Sequence, residues 1–230
     1  MPMMIRPIFA VLFVSFAIPG TARAQASACG CPDVADLRNR YCEARAAIAE
    51  YGKQITKIRA QETSTGAPVM YTTPRYKEKV QPCVQEAINQ VSNPTTNRAA
   101  ADTDNSCVIN YKRDPTACIK QILYAHESIH VTVCKGKAEE RQREGYFSEL
   151  RGMFSDFREG MTLVDFLNEE RAAYAVEVNK VRDELARLSR NPGCPGLPAE
   201  PPGPPRIPTI EPCPPPNPRP PQEESACKFR

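Results

Sequence analysis

The sequence predicts a mainly α-helical domain with a minor β edge strand, stapled by disulfides and followed by a proline-rich C-terminal tail. Three observations carry this. Apolar residues recur at spacings of three and four through most of the chain's middle. Ten cysteines, all beyond residue 28, form an even set too large to leave reduced by accident. Of the 24 prolines, 15 fall in residues 191–230, without a period. The expected division is a signal peptide over 1–24, a helical domain over 25–190 and the tail over 191–230. A domain of that length can bury a real core.

The elements follow in order. Arg6 and the apolar run 7–18 read as an export signal, the run being too short to span a bilayer. Pro19-Gly20 breaks it, and Ala22-Arg23-Ala24 supplies a cleavage site. No later stretch is long and apolar enough to insert in a membrane. Export, to the periplasm or beyond the cell, would place the cysteines in an oxidising space. Seven cysteines lie in the domain and three in the tail, so complete pairing demands at least one bridge between the two.

Residues 33–62 read as a long helix with an apolar seam: Val34, Tyr41, Ile48 and Ile55 beside Leu37, Ala44, Tyr51 and Ile58. The seam would suit a helical dimer, but Ala44 and the tyrosines weaken it and favour packing within a monomer. Gly66 and Pro68 end it. A second helix is expected from about Pro74 to Val91, then a polar loop over 95–106 and a short strand over 107–111. Asp114-Pro115 marks a helix start, with Gly136 as the left-handed residue past an end near Lys135. Residues 137–154 read as charged helix, with Phe147, Leu150 and Phe154 on one side. Thr162 and Asp165 resemble a capping box that opens a last helix through about Leu188. Asn191-Pro192-Gly193 stops it. The tail should be extended, either a spacer tied down by disulfides or a ligand for an aromatic groove.

The net charge of +3 falls to about +1 once Arg6 and Arg23 are removed with the signal. That argues against nucleic acid or an anionic membrane as partner. The chemistry concentrates at His126-Glu127-Ser128-Ile129-His130, which holds both histidines of the chain. One helical turn separates them, so both imidazoles project from one face and can chelate one ion, zinc by preference. Ile119, Ile122, Leu123, Ile129 and Val133 turn that face inward. Glu127 stands beside the first ligand, placed to act as a general base on water. A catalytic zinc needs three protein ligands and an open position. No third histidine exists, and Cys134, one turn past His130, is better read as a disulfide partner.

The last helix offers a carboxylate instead. Its apolar stripe, Leu163, Leu167, Tyr174, Val178, Val181, Leu185 and Leu188, includes Glu170 at the same spacing. Glu169 is rotated about 100° away, toward solvent. Glu177, two turns on, is expected to hold a histidine N–H. HExxH on one helix and Glu-x-x-Ala-Tyr on a later one resemble the gluzincin zinc metallopeptidases, most of all their small secreted or toxin-type bacterial members. The resemblance covers roughly residues 107–178. It implies a zincin-like helical domain whose short edge strand receives a peptide or protein substrate. His126, His130 and Glu170 would then be zinc ligands and Glu127 the general base. Several gluzincins use a downstream histidine to stabilise the oxyanion, which this chain lacks, so a Tyr or Arg would have to serve, with Tyr174 and Tyr146 as candidates. Two other functions fit the sequence. One is a non-enzymatic zinc-binding protein that uses its helical seam or tail for partners. The other is an enzyme inhibited by its own tail.

Overall fold

The computed structural model describes residues 28–93, 95–96, 99–143, 156–191, 193–194 and 213, with the side chains of 141–143 excepted. The expected signal peptide, Phe147, Leu150, Phe154, Tyr146 and nearly all of the tail lie outside them. The described part is mainly helical: a 3-10 turn Cys31–Asp33, α1 Val34–Thr65, α2 Thr73–Arg75, a π-helical stretch Tyr76–Val80, α3 Gln81–Val91, β1 Ala100–Thr103, β2 Ile109–Lys112, α4 Ala117–Arg143 and α5 Leu163–Ser189. No helix among the described residues is long and apolar enough to cross a membrane.

Local chemistry explains most boundaries. α1 ends where Gly66 takes φ 70°, a left-handed conformation that returns its N–H to the Glu62 carbonyl at 2.8 Å. α2 and α3 form one helical run with the π stretch between them. Pro82 has no N–H to give the preceding turn, which is where the wider register falls. The Thr162 hydroxyl oxygen accepts from the Asp165 N–H at 3.1 Å and opens α5 as expected.

Three boundaries differ from expectation. The polar segment 95–106 contains β1, which pairs antiparallel with β2, Ala100 opposite Lys112 and Thr103 opposite Ile109. Cross-strand hydrogen bonds, supported by Ala99 and Ala101 over Ile119 and Leu123, outweigh the low β propensity of Ala-Ala-Asp-Thr. β2 starts at Ile109 rather than Cys107, because Cys107 sits at φ 60° in the hairpin turn. α4 starts past Asp114, with the Thr116 hydroxyl accepting from the Ile119 N–H, and it runs straight through Gly136.

α5 is the central element. It packs against both α1 and α4. One apolar cluster joins Ala47, Tyr51, Ile55 and Ile58 of α1 to Leu163, Phe166 and Leu167 of α5. A second joins Val34 and Leu37 to Ile122 of α4 and Val181, Leu185 and Leu188. Most of the α1 seam is thus buried within its own chain, with Tyr41 and Ile48 partly exposed. Along α5 the two clusters leave a gap, residues 168–180, where the polar residues of the site fall.

Among the described residues, four disulfides clamp this arrangement: Cys29–Cys118, Cys31–Cys194, Cys42–Cys213 and Cys107–Cys134. They are consistent with folding in an oxidising compartment. Cys134 is a disulfide partner as expected, and Cys194 and Cys213 supply tail-to-domain bridges. The remaining two of the ten cysteines are Cys83 and Cys227. Non-reducing peptide mapping is expected to find those two joined and no free thiol. Cleavage within 190–193 should then leave the tail attached until reductant is added; release without reductant would contradict the bridges.

Candidate metal centre

α4 carries the motif on its buried face: His126 is 7% exposed, Glu127 4% and His130 3%. Opposite it, α5 runs antiparallel and presents three carboxylates. The His126 Nδ1–H donates to Glu177 Oε2 at 3.0 Å, and the His130 Nδ1–H donates to Glu169 Oε1 at 2.7 Å. With Nδ1 so engaged, the remaining nitrogen of each ring is Nε2. His130 Nε2 stands 3.9 Å from Glu170 Oε1. His126, His130 and Glu170 each place a donor atom within 4.8 Å of the others, a group that could hold a metal ion. The donor set itself fits a metal ion: two imidazoles fixed by carboxylates and one further carboxylate.

One sequence expectation is corrected here. Glu169 does not face solvent; it is 7% exposed and grips His130. Adjacent residues on a helix differ by about 100°, and the His130 ring lies between the two carboxylates. Glu169 takes its Nδ1 side and Glu170 its Nε2 side. Glu177 does hold a histidine N–H, as expected. The Glu177 carboxylate also accepts from Arg40 Nη1 at 3.4 Å, and Arg40 Nη2 donates to the Ala99 carbonyl. A buried chain Arg40–Glu177–His126 therefore runs from α1 through α5 to α4.

Electrostatics follow from burial and these partners. Burial pulls the His130 pKa below its ordinary value, which favours the neutral ring a metal needs. Burial pulls His126 down too, but the Glu177 hydrogen bond and charge, with Glu170 and Glu127 nearby, hold it above normal. Glu177 is penalised by burial, yet His126 and Arg40 keep it below the usual carboxylate range. Burial pushes Glu169 up to about 7, and its Oε2 has no hydrogen-bond partner among the described residues.

Glu127 is not among the ligand set. Its Oε2 accepts from the Thr103 hydroxyl at 2.8 Å, at the end of β1. The Cys107–Cys134 bridge ties the β1–β2 hairpin to α4 and so fixes Thr103 over the motif. Tyr174 reaches the site as a packing plate: its ring meets His126 edge-on at 4.6 Å and Tyr51 at 6.0 Å. Burial pushes its phenol far above normal, with Glu177 and Glu170 adding to the effect. Arg40, Thr103 and Arg158 are additional residues that the motif did not mark. Arg40 carried a usable signal, since it falls three after Leu37 and four before Ala44, a charge at core spacing.

Compared with family models, curated proteins and solved structures, the chain matches none.

The geometry ranks the carboxylates. Glu170→Gln should remove most zinc binding. Glu169→Gln and Glu177→Gln should each weaken it about 10–100-fold, as loss of a histidine-orienting group does. Asp183→Asn, at an exposed site on the same helix, should change nothing. Competition against a chromophoric chelator measures all four, and wild-type affinity in Glu170→Gln would remove Glu170 from the ligand set.

Proposed function

We propose that this chain is an exported zinc-dependent peptidase of gluzincin type. The observation that carries this is Glu127: a buried carboxylate between the two histidines, outside the ligand set and oriented by Thr103. A purely structural metal site has no use for such a group, whereas hydrolysis needs a base there. The resemblance of the HExxH and Glu-x-x-Ala-Tyr segments supports the same conclusion, and the four disulfides support an exported protein.

His126, His130 and Glu170 would hold the ion. Zinc, when bound, would polarise a substrate carbonyl and bring the pKa of water toward neutrality. Glu127 takes a proton from water as the new C–O bond forms at the peptide carbonyl carbon. It then passes that proton to the leaving nitrogen as the C–N bond breaks. Thr103 keeps Glu127 oriented by occupying Oε2. Glu177 and Glu169 hold the imidazole rings with Nε2 free, so their task is orientation. Tyr174 packs on His126 and limits water behind it.

Glu127→Gln should keep zinc and lose turnover by about 10²–10⁴-fold, because a base is removed and a ligand is not. Cleavage of reduced, alkylated casein by both zinc-loaded proteins checks this. Equal rates would take the base role from Glu127. No cleavage of casein or of a diverse peptide library by the zinc-loaded wild type would favour a structural metal.

A further inference from the structure

We propose that Arg158 is the group that receives the negative charge of the reaction: its guanidinium donates hydrogen bonds to the scissile carbonyl oxygen as that oxygen becomes anionic. This role rests on the peptidase function proposed above. It fills the place for which the sequence requires a Tyr or Arg, with Tyr174 and Tyr146 as candidates.

Arg158 lies in the turn that precedes α5, and that turn is pinned from two sides. The Phe157 N–H donates to Asn105 Oδ1 of the hairpin at 2.9 Å. The Tyr71 hydroxyl donates to Asp156 Oδ2 at 3.0 Å, and the Tyr71 N–H donates to the Met161 carbonyl at 2.9 Å. The guanidinium itself lies over Phe157 at 4.5 Å and Phe166 at 5.1 Å, which fixes its plane.

From that seat Nη2 reaches to 3.8 Å of Glu170 Oε1, the same oxygen that faces His130 Nε2 at 3.9 Å. At this distance the two groups attract but do not hydrogen-bond, so the N–H donors are not spent on Glu170. Nε is buried and has no hydrogen-bond partner among the described residues. The Arg158 side chain is only 17% exposed. A cation buried to that degree with its Nε–H unspent is costly, and a metal ion at Glu170 would add repulsion. Both costs fall when an anionic oxygen arrives between Arg158 and the donor cluster.

The electrons balance without a co-reactant. Water attacks the carbonyl carbon, the C=O π pair moves onto oxygen, and Arg158 binds that oxygen. The pair then returns, the C–N bond breaks, and the nitrogen takes the proton held by Glu127. Peptide and water become acid and amine.

Two measurements test it. In the first, cobalt-loaded protein is titrated with inorganic phosphate and read by visible absorption. Wild type should bind phosphate at least about tenfold tighter than Arg158→Gln, the scale of a charge-assisted bond, while chelator competition shows the metal retained in both. In the second, Arg158→Gln should lower kcat about 10²–10³-fold on a peptide substrate with KM nearly unchanged, as loss of a charge-stabilising donor does. Added methylguanidine should restore part of the turnover of Arg158→Ala, which a structural role would not allow. Unchanged phosphate affinity and unchanged kcat in Arg158→Gln would overturn the role of Arg158, while a Glu127→Gln loss would still stand for the peptidase. A wild type that binds phosphate yet cleaves nothing would overturn the peptidase function and the role of Arg158 with it.

Discussion

The two imidazole–carboxylate hydrogen bonds across α4 and α5 are the constraint on which the rest depends. They sit in the gap between two apolar clusters, where burial makes an unpartnered polar atom costly. Breaking one would cost roughly 1–3 kcal/mol through the group left behind. They also set the register. Sliding α5 by one residue rotates its face about 100° and would take Glu169, Glu170 and Glu177 from the histidines at once. Arg40 extends this layer to α1, so all three long helices are keyed to one another by one buried polar layer.

The site divides its work between elements of different stiffness. The candidate ligands and the carboxylates that orient them stand on helices α4 and α5, which are held by packing against α1 and each other. Glu127 is oriented from a hairpin, an element with little core of its own. A two-stranded hairpin is marginal in isolation. The Cys107–Cys134 bridge and the small cluster of Ala99, Ile119 and Leu123 give this one the anchorage its length does not supply.

Much of this was legible in the sequence, and the illegible part has a common cause. The long helices, the Gly66 stop, the Thr162 cap and the tail-to-domain bridges follow from local spacing and from counting. So do His126, Glu127, His130, Glu170 and the supporting Glu177, since each lies on a stripe readable within its own helix. Glu169 was misplaced because α5 was taken to bury one stripe. Its buried face is wider: Phe166, Glu169, Ala173 and Glu177 are buried as well, and Glu169 and Glu177 meet the histidines of α4. Thr103 was invisible because β1 owes its existence to pairing and packing, with no apolar alternation to announce it. Arg158 lies in a turn, where no period exists to mark an inward side chain.

The spans of the disulfides carry a consequence for biogenesis. Cys29 waits 89 residues for its partner, Cys31 waits 163 and Cys42 waits 171. A chain made and delivered from its N-terminus therefore exposes three closely spaced thiols long before any correct mate exists. An oxidant acting in order of appearance would join neighbours such as Cys29 and Cys31. Native pairing then requires exchange through mixed disulfides, and yield on production becomes a matter of reshuffling capacity more than of helix formation. The Cys42–Cys213 bridge cannot close before residue 213 has been delivered, so the helical domain is fully stapled only once the tail has followed it.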